Sequence, residues 1–196
     1  MTDTDRVYVV IGNIFDHEPC RVGLINEPDA RVLRLVHISD THQKHGDVVL
    51  PPGDVLVHSG DFFNWDDRRS FESQTAEISA YFDALPHRYK IFVAGNHELN
   101  FCRRSKDDIQ SRLPDVVYLQ DSAIDVEGLR FYGAPWTPQR GSLAYAYESP
   151  KAEIEKHWDK IPTGVDVLVT HCPPGGVLSG RMGCSYLREV VLKRVR

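Results

Sequence analysis

An α/β fold is predicted by two observations. Short runs rich in Val, Ile, Leu or Phe alternate with segments of helical period, and no repeat or low-complexity stretch interrupts them. The 196 residues suit one domain with an extension, against roughly 150 residues per domain. With 41% hydrophobic and 26% charged residues, the chain is neither disordered nor fibrous and can bury a sizeable core.

Taken in order, the first 30 or so residues give a weak pattern, with one strand at Val7 to Ile11 and a loop at Asn26 to Asp29. Arg34 to Ser39 and Asp54 to His58 are apolar runs of strand length and read as buried strands. Phe71, Thr75, Ile78, Phe82 and Leu85 fall at helical spacing until Pro86 stops them, which predicts an amphipathic helix. Lys90 to Ala94 is the third buried strand, and Val116 to Leu119 a further one. Ala123 to Val126 and Leu129 to Gly133 form a hairpin turned at Glu127-Gly128. Ser149 and Pro150 suit the start of a second helix carrying Ile154, Trp158 and Ile161. Val165 to Thr170 is the fourth buried strand, and Leu187, Val190 and Val191 mark a third helix.

Composition narrows the function classes. Twenty-three Lys and Arg against 28 Asp and Glu give a net charge of -5, which provides no broad basic surface for long nucleic acid. The basic run Arg188 to Arg196 reads as a solvated helix face. No apolar run approaches the roughly 18 residues of a membrane span, so no membrane partner is expected. The acidic start, Met1 to Asp5, does not resemble a secretory signal. Cys20, Cys102, Cys172 and Cys184 lack metal-knuckle or redox spacing, and a reducing, cytoplasmic setting is expected.

The residues that carry chemistry stand at the far end of each apolar run. Asp40 and His42 come after the first, Asp61 after the second, Asn96 and His97 after the third, and His171 after the fourth. Singly, each has a plainer reading. Asp40-Thr41-His42 is also a turn, Gly60-Asp61 a strand exit, Gly95-Asn96-His97-Glu98 a helix start capped by Asn96, and His171 a buried histidine. Together they place Asp, Asn and His at the ends of four strands, where side chains distant in sequence converge in an open α/β sheet. A metal site is the expectation. Donors of carboxylate, amide and imidazole type without thiolate favour Mn, Fe, Zn or Mg. Cys172 is read as a tolerated small residue and not a ligand.

These motifs resemble those of the calcineurin-like metallophosphoesterases, whose order is D-x-H, G-D-x-x, G-N-H-E/D, a lone His and G-H-x-H. The first four are present here. Ala94-Gly95-Asn96-His97-Glu98-Leu99, Tyr118-Leu119-Gln120-Asp121-Ser122 and Tyr132-Gly133-Ala134-Pro135-Trp136-Thr137-Pro138 are similar to the metallophosphoesterase-domain-containing subfamily known from brain. The resemblance runs from about Arg34 to Arg196. It implies a four-layer α/β/β/α sandwich over residues 34–196, with 1–33 as an N-terminal extension.

The resemblance also implies two divalent metal ions. Carried over, Asp40 and His42 bind the first, Asp61 bridges both, Asn96 and His171 bind the second, and His97 stays off the metals as the general acid. Two cations roughly 3.5–4 Å apart generate a bridging hydroxide near neutral pH and bind the phosphate oxygens. An imidazole of pKa about 6.5 suits proton delivery to the departing alkoxide. Asp61 is followed by Phe62, Phe63, Asn64 and Trp65. That lacks the Arg-Gly of the phosphoprotein phosphatases and the tyrosine ligand of the purple acid phosphatases. The implied substrate is a small phosphodiester or nucleotide, with 2′,3′-cyclic monophosphates included.

One departure remains: no histidine comes after His171 in this sequence, so a G-H-x-H motif and its closing strands are missing. The expectation is a domain incomplete at its C-terminal strands, with a weak second metal site and low activity. A catalytically crippled module that binds a nucleotide or a protein is the alternative of another class. A DNA nuclease fits the metals but not the acidic charge. Trp136 either lines a base-stacking pocket or anchors its loop. His45, His58, His87 and His157 are assigned no role.

Overall fold

In the computed structural model, residues 8–11, 33–138, 144–147, 151–176 and 183–195 are described. Cys20, the loop at Asn26 to Asp29 and the Ser149–Pro150 helix start lie outside them. Five strands, β1 (Tyr8–Ile11), β2 (Arg34–Ile38), β3 (Val55–His58), β4 (Tyr89–Phe92) and β5 (Val117–Tyr118), form a parallel sheet in that order. Helix α1 (Phe71–Asp83) connects β3 to β4, and the six-residue α2 (Lys106–Ser111) precedes β5. A second sheet has the order β10 (Val167–Thr170), β7 (Leu129–Ala134), β6 (Ser122–Val126), with β10 parallel and β6 antiparallel to β7. A two-stranded ladder pairs β8 (Thr137–Pro138) with β9 (Ala146–Tyr147), and α3 (Lys151–Trp158) and α4 (Ser185–Arg194) complete the described elements.

The period-2 alternation of the strands sorts their side chains into three apolar layers. Leu35, Val55, Val57, Ile91 and Val93 from the first sheet meet Val126, Phe131 and Val169 from the second. The intervening Val36, Leu56 and Phe92 face the other way, onto Phe71, Ile78 and Phe82 of α1 and Ile109 of α2. Tyr132 and Ala134 of β7 face Trp158 of α3 and Leu187 and Val190 of α4. Three apolar interfaces separate four layers, α/β/β/α. Phe92, Ile78 and Trp158 are fully buried, and each such burial stabilises the fold by roughly 1.5–3 kcal/mol or more.

Helix α1 starts as its sequence dictates. Ser70 is extended and its hydroxyl accepts from Ser73 N at 3.2 Å, satisfying one of the donors a helix start leaves free. The β6–β7 hairpin turns at Glu127 and Gly128, with φ of 50° and 88°. Those left-handed angles suit the strand twist, and Gly128 adopts its angle without a Cβ penalty. The basic run is less solvated than its charge suggests. Arg194 Nη1 donates to the carbonyls of Asp159 and Ile161 at 2.7 and 2.6 Å, capping the end of α3 from α4. Among the described residues, no helix is long and apolar enough to cross a membrane.

Strand register positions the site. Ile38 of β2 aligns with His58 of β3, which aligns with Phe92 of β4. Three parallel strands therefore end level, and Asp40, Asp61 and Asn96 emerge within four residues of that edge. His171 lies just after β10 in the second sheet and reaches across to the carbonyl of Ser59, which its Nδ1 approaches at 2.9 Å.

Candidate metal centre

The loops leaving β2 and β3 run side by side. Asp40 N donates to Gly60 O at 2.9 Å, His42 N to Asp61 O at 3.1 Å and Gln43 N to Phe62 O at 2.8 Å. This ladder requires left-handed backbone at residues that seldom adopt it: φ is 54° at Asp40, 44° at His42, 65° at Gln43 and 55° at Asp61. Such angles cost of order 1 kcal/mol or more each and persist only where the surroundings fix them.

Glu98 supplies much of that fixing. Its fully buried carboxylate accepts from Asp61 N at 3.0 Å, Phe62 N at 2.9 Å, Phe63 N at 3.3 Å and Gly95 N. One side chain thus ties the β3 exit to the β4 exit. Burial, reinforced by the charge of Asp61, pushes the Glu98 carboxyl up to about 7.

Two glycines let these exits approach. A Cβ on Gly60, whose φ is 106°, would lie 2.6 Å from the Gly95 backbone and 2.7 Å from His171 Nδ1. A Cβ on Gly95 would lie 2.5 Å from Asp61 N and 2.9 Å from His171 Cε1. Neither position has room for a side chain.

The donors gather in two trios that share one carboxylate. Atoms of Asp40, Asp61 and His171 lie within 4.8 Å of one another, and so do those of His42, Asp61 and His97. Asn96 Oδ1 faces His171 Nε2 at 3.0 Å. All six expected residues are thus brought to one edge. The resemblance groups Asp40 with His42 and Asn96 with His171. The geometry keeps Asn96 beside His171, adds Asp40 on the same side, and sets His42 beside His97, whose ring centroids are 4.8 Å apart.

Hydrogen bonds behind the donors orient them. His42 Nδ1 faces Phe63 O at 3.1 Å and His171 Nδ1 faces Ser59 O at 2.9 Å, so each ring donates backward and turns Nε2 toward the carboxylates. Ser39 Oγ donates to Asp40 Oδ2. Burial alone would raise the Asp61 carboxyl, but His171 hydrogen-bonds and pairs with it, His97 adds to this, and the net shift is downward. Burial likewise opposes a charge on His171, yet Asp61 and then Asp40 outweigh it and lift the imidazole to about 9. A pair of carboxylates that pulls a proton onto the buried His171 imidazole is one that a divalent cation would satisfy. The donor set fits hard or borderline divalent metals. Cys172 is buried in the apolar layer beneath α3 and α4, away from a ligand role.

Several contributors escape a reading of the sequence. His58, which has no role there, is fully buried behind the site. Its Nδ1 accepts from Gly60 N at 3.2 Å, which leaves Nε2 to donate to Thr41 Oγ1 at 3.0 Å. It thereby links the β3 exit to the residue between Asp40 and His42, and burial holds its pKa well below the usual value. A histidine closing an otherwise apolar strand is the available signal. Glu98 is visible only as a motif letter. The segment Gly95 to Glu98 does not start a helix; it turns into a short 3-10 segment at Phe101–Arg103. Trp136 anchors its loop: its indole donates to Asp121 Oδ1 at 2.7 Å and packs on His157 at 3.7 Å between ring centroids.

Comparison with known proteins shows the family of this chain. A family model described as calcineurin-like phosphoesterase matches residues 33–194. Metallophosphoesterase domain-containing protein 1 of Homo sapiens is 35% identical over 191 residues, covering 83% of this chain and 57% of that protein. Two UPF0046 proteins of Caenorhabditis elegans are 35% and 36% identical, covering 87% and 84% of this chain and 63% and 65% of theirs. The chain thus spans little more than half the length of the curated relatives it matches.

Proposed function

This chain belongs to the calcineurin-like phosphoesterase family, and from that premise we propose that it hydrolyses small phosphoric diesters, cyclic nucleotides such as 2′,3′-cyclic monophosphates among them. The observation that carries this reading is the gathering of Asp40, His42, Asn96 and His171 around Asp61 at one sheet edge, with His97 beside them. Asp40, His42, Asp61, Asn96 and His171 would hold two divalent ions from among Mn, Fe, Zn and Mg. When bound, such ions polarise phosphoryl oxygens and make a water acidic enough to attack near neutral pH.

The chain's own residues do the rest. Asp61, held by Glu98 and by His97 N at 2.9 Å, fixes the spacing of the two donor trios. His97 Nε2, 3.7 Å from Asp61 Oδ2, carries the proton that the departing alkoxide takes as the P–O bond breaks. The net charge of -5 opposes long polyanions and leaves small diesters as substrates. The lack of metal-knuckle or redox spacing among the four cysteines supports a reducing cytoplasm as the setting.

The test is Mn-dependent hydrolysis of bis(4-nitrophenyl) phosphate and of adenosine 2′,3′-cyclic monophosphate by the full chain, with Asp61→Ala as control. Turnover abolished in the variant is expected. Equal turnover in wild type and variant would refute the assignment of the site.

A further inference from the structure

Trp65 is 59% exposed, an unusual position for the largest apolar side chain. The other two tryptophans are enclosed, Trp158 completely and Trp136 against His157 and Tyr145. A single exposed apolar residue needs no explanation by itself. Its location supplies one.

Trp65 and Asp66 form the tip of a turn closed by Asp67 N donating to Asn64 O at 3.1 Å. That turn continues the loop from Asp61. Asn64 Nδ2 donates to Gln43 Oε1 at 2.8 Å, Gln43 Nε2 donates to Asp67 Oδ2 at 3.0 Å, and Gln43 is the residue next to His42. Two residues before Trp65, the Phe63 carbonyl meets His42 Nδ1 at 3.1 Å. Chain geometry therefore keeps the Trp65 Cα within roughly 7–8 Å of Phe63 Cα, in the loop that holds the His42 ring.

The turn is also rigid. Phe62 and Phe63 are fully buried beneath it, and Arg69 binds Asp67 through Nε at 3.1 Å and Nη2 at 2.7 Å. A wet indole is thus carried on a braced turn whose neighbours Phe63 and Asn64 are bonded to His42 and Gln43, next to the candidate metal centre. An indole has few rotatable bonds to freeze and a π-face that accepts any base or aryl ring.

We infer that Trp65 is a stacking platform for the planar group of the substrate, so that the site selects phosphoesters carrying a nucleobase or aryl ring. This rests on the diesterase reading for its catalytic meaning. The stacking itself is a binding property and is tested as one.

The experiment is calorimetric titration of the Mn-supplemented full chain with adenosine 5′-monophosphate and, separately, with inorganic phosphate, comparing wild type, Trp65→Ala and Trp65→Phe. Base stacking predicts that Trp65→Ala weakens the nucleotide roughly 5- to 100-fold. Trp65→Phe should restore most of that, and phosphate affinity should not track the pattern. The nucleotide should also quench the most solvent-exposed tryptophan emission of wild type, and this quenching should vanish in Trp65→Phe. Failure of wild type to bind the nucleotide, equal nucleotide affinity in wild type and Trp65→Ala, or an equal loss for nucleotide and phosphate would each overturn the proposal. Nucleotide binding through Trp65 without diester turnover would sink the proposed reaction alone. Turnover with Trp65→Ala binding like wild type would sink the stacking alone.

Discussion

Replacing Glu98 by glutamine tests whether one buried carboxylate staples the site together. Oε1 serves Phe62 and Phe63, and Oε2 serves Asp61 and Gly95. Glutamine keeps one acceptor oxygen and turns an NH2 group toward the other two donors. Each buried N–H left without an acceptor costs about 1–3 kcal/mol, so the lost pair costs about 2–6 kcal/mol. Removing a buried charge returns part of this. A net loss of about 2–4 kcal/mol is the expectation, which at about 2 kcal/mol per molar shifts the urea midpoint by roughly 1–2 M. The Asp61 backbone, released from its left-handed angle, should also hold Mn more weakly. Urea unfolding monitored by circular dichroism and Mn titration of both proteins are the assays. A Glu98→Gln protein within about 0.5 kcal/mol of wild type and with unchanged Mn affinity would refute the staple, since surface-like substitutions fall in that range.

The same region yields two more expected outcomes. Gly60→Ala forces a Cβ to within 2.6 Å of the Gly95 backbone at a φ of 106°. Overpacking of this kind costs about 1–3 kcal/mol before backbone strain is added, so a clear fall in thermal midpoint and loss of diesterase activity are expected; an unaltered midpoint would contradict the close approach. His58 predicts acid sensitivity. Its folded pKa is depressed, so below about 6.5 the unfolded chain takes up a proton that the folded chain refuses, and stability falls by up to about 1.4 kcal/mol per pH unit. Urea midpoints between pH 5 and 8 should decline on the acid side more steeply in wild type than in His58→Gln, and parallel profiles would exclude His58 as the cause.

The strands are legible in the sequence because burial on both faces leaves near-continuous apolar runs, as in Val55–Leu56–Val57 and Ile91–Phe92–Val93. Helix α1 is legible from Phe71, Thr75, Ile78 and Phe82, and the hairpin from Glu127-Gly128. Helix α2 leaves no trace, because its six residues bury only Ile109 and make no period. The pairing of β8 with β9 is two residues long and likewise too short to pattern. At the site, the donors can be read because each stands just past a strand and parallel strands end level. Which donor stands beside which cannot, since that depends on loop backbone angles at Asp40, His42 and Asp61. Glu98 acts through backbone N–H groups, which carry no sequence signature, and His58 shows only as a histidine that closes an apolar strand.

The reach of His171 across the sandwich has a temporal side. Ser59 and His171 are 112 positions apart in sequence, and they meet only when the second sheet has docked on the first. Asp40, Asp61 and Asn96 belong to one sheet and can assemble early, whereas the first donor trio closes only when β10 arrives. Long-range closures of this type are slow steps in folding. The Asp40, Asp61 and His171 trio is therefore completed late, and an ion held there would act as a timestamp that distinguishes a finished chain from one whose halves have formed but not yet met.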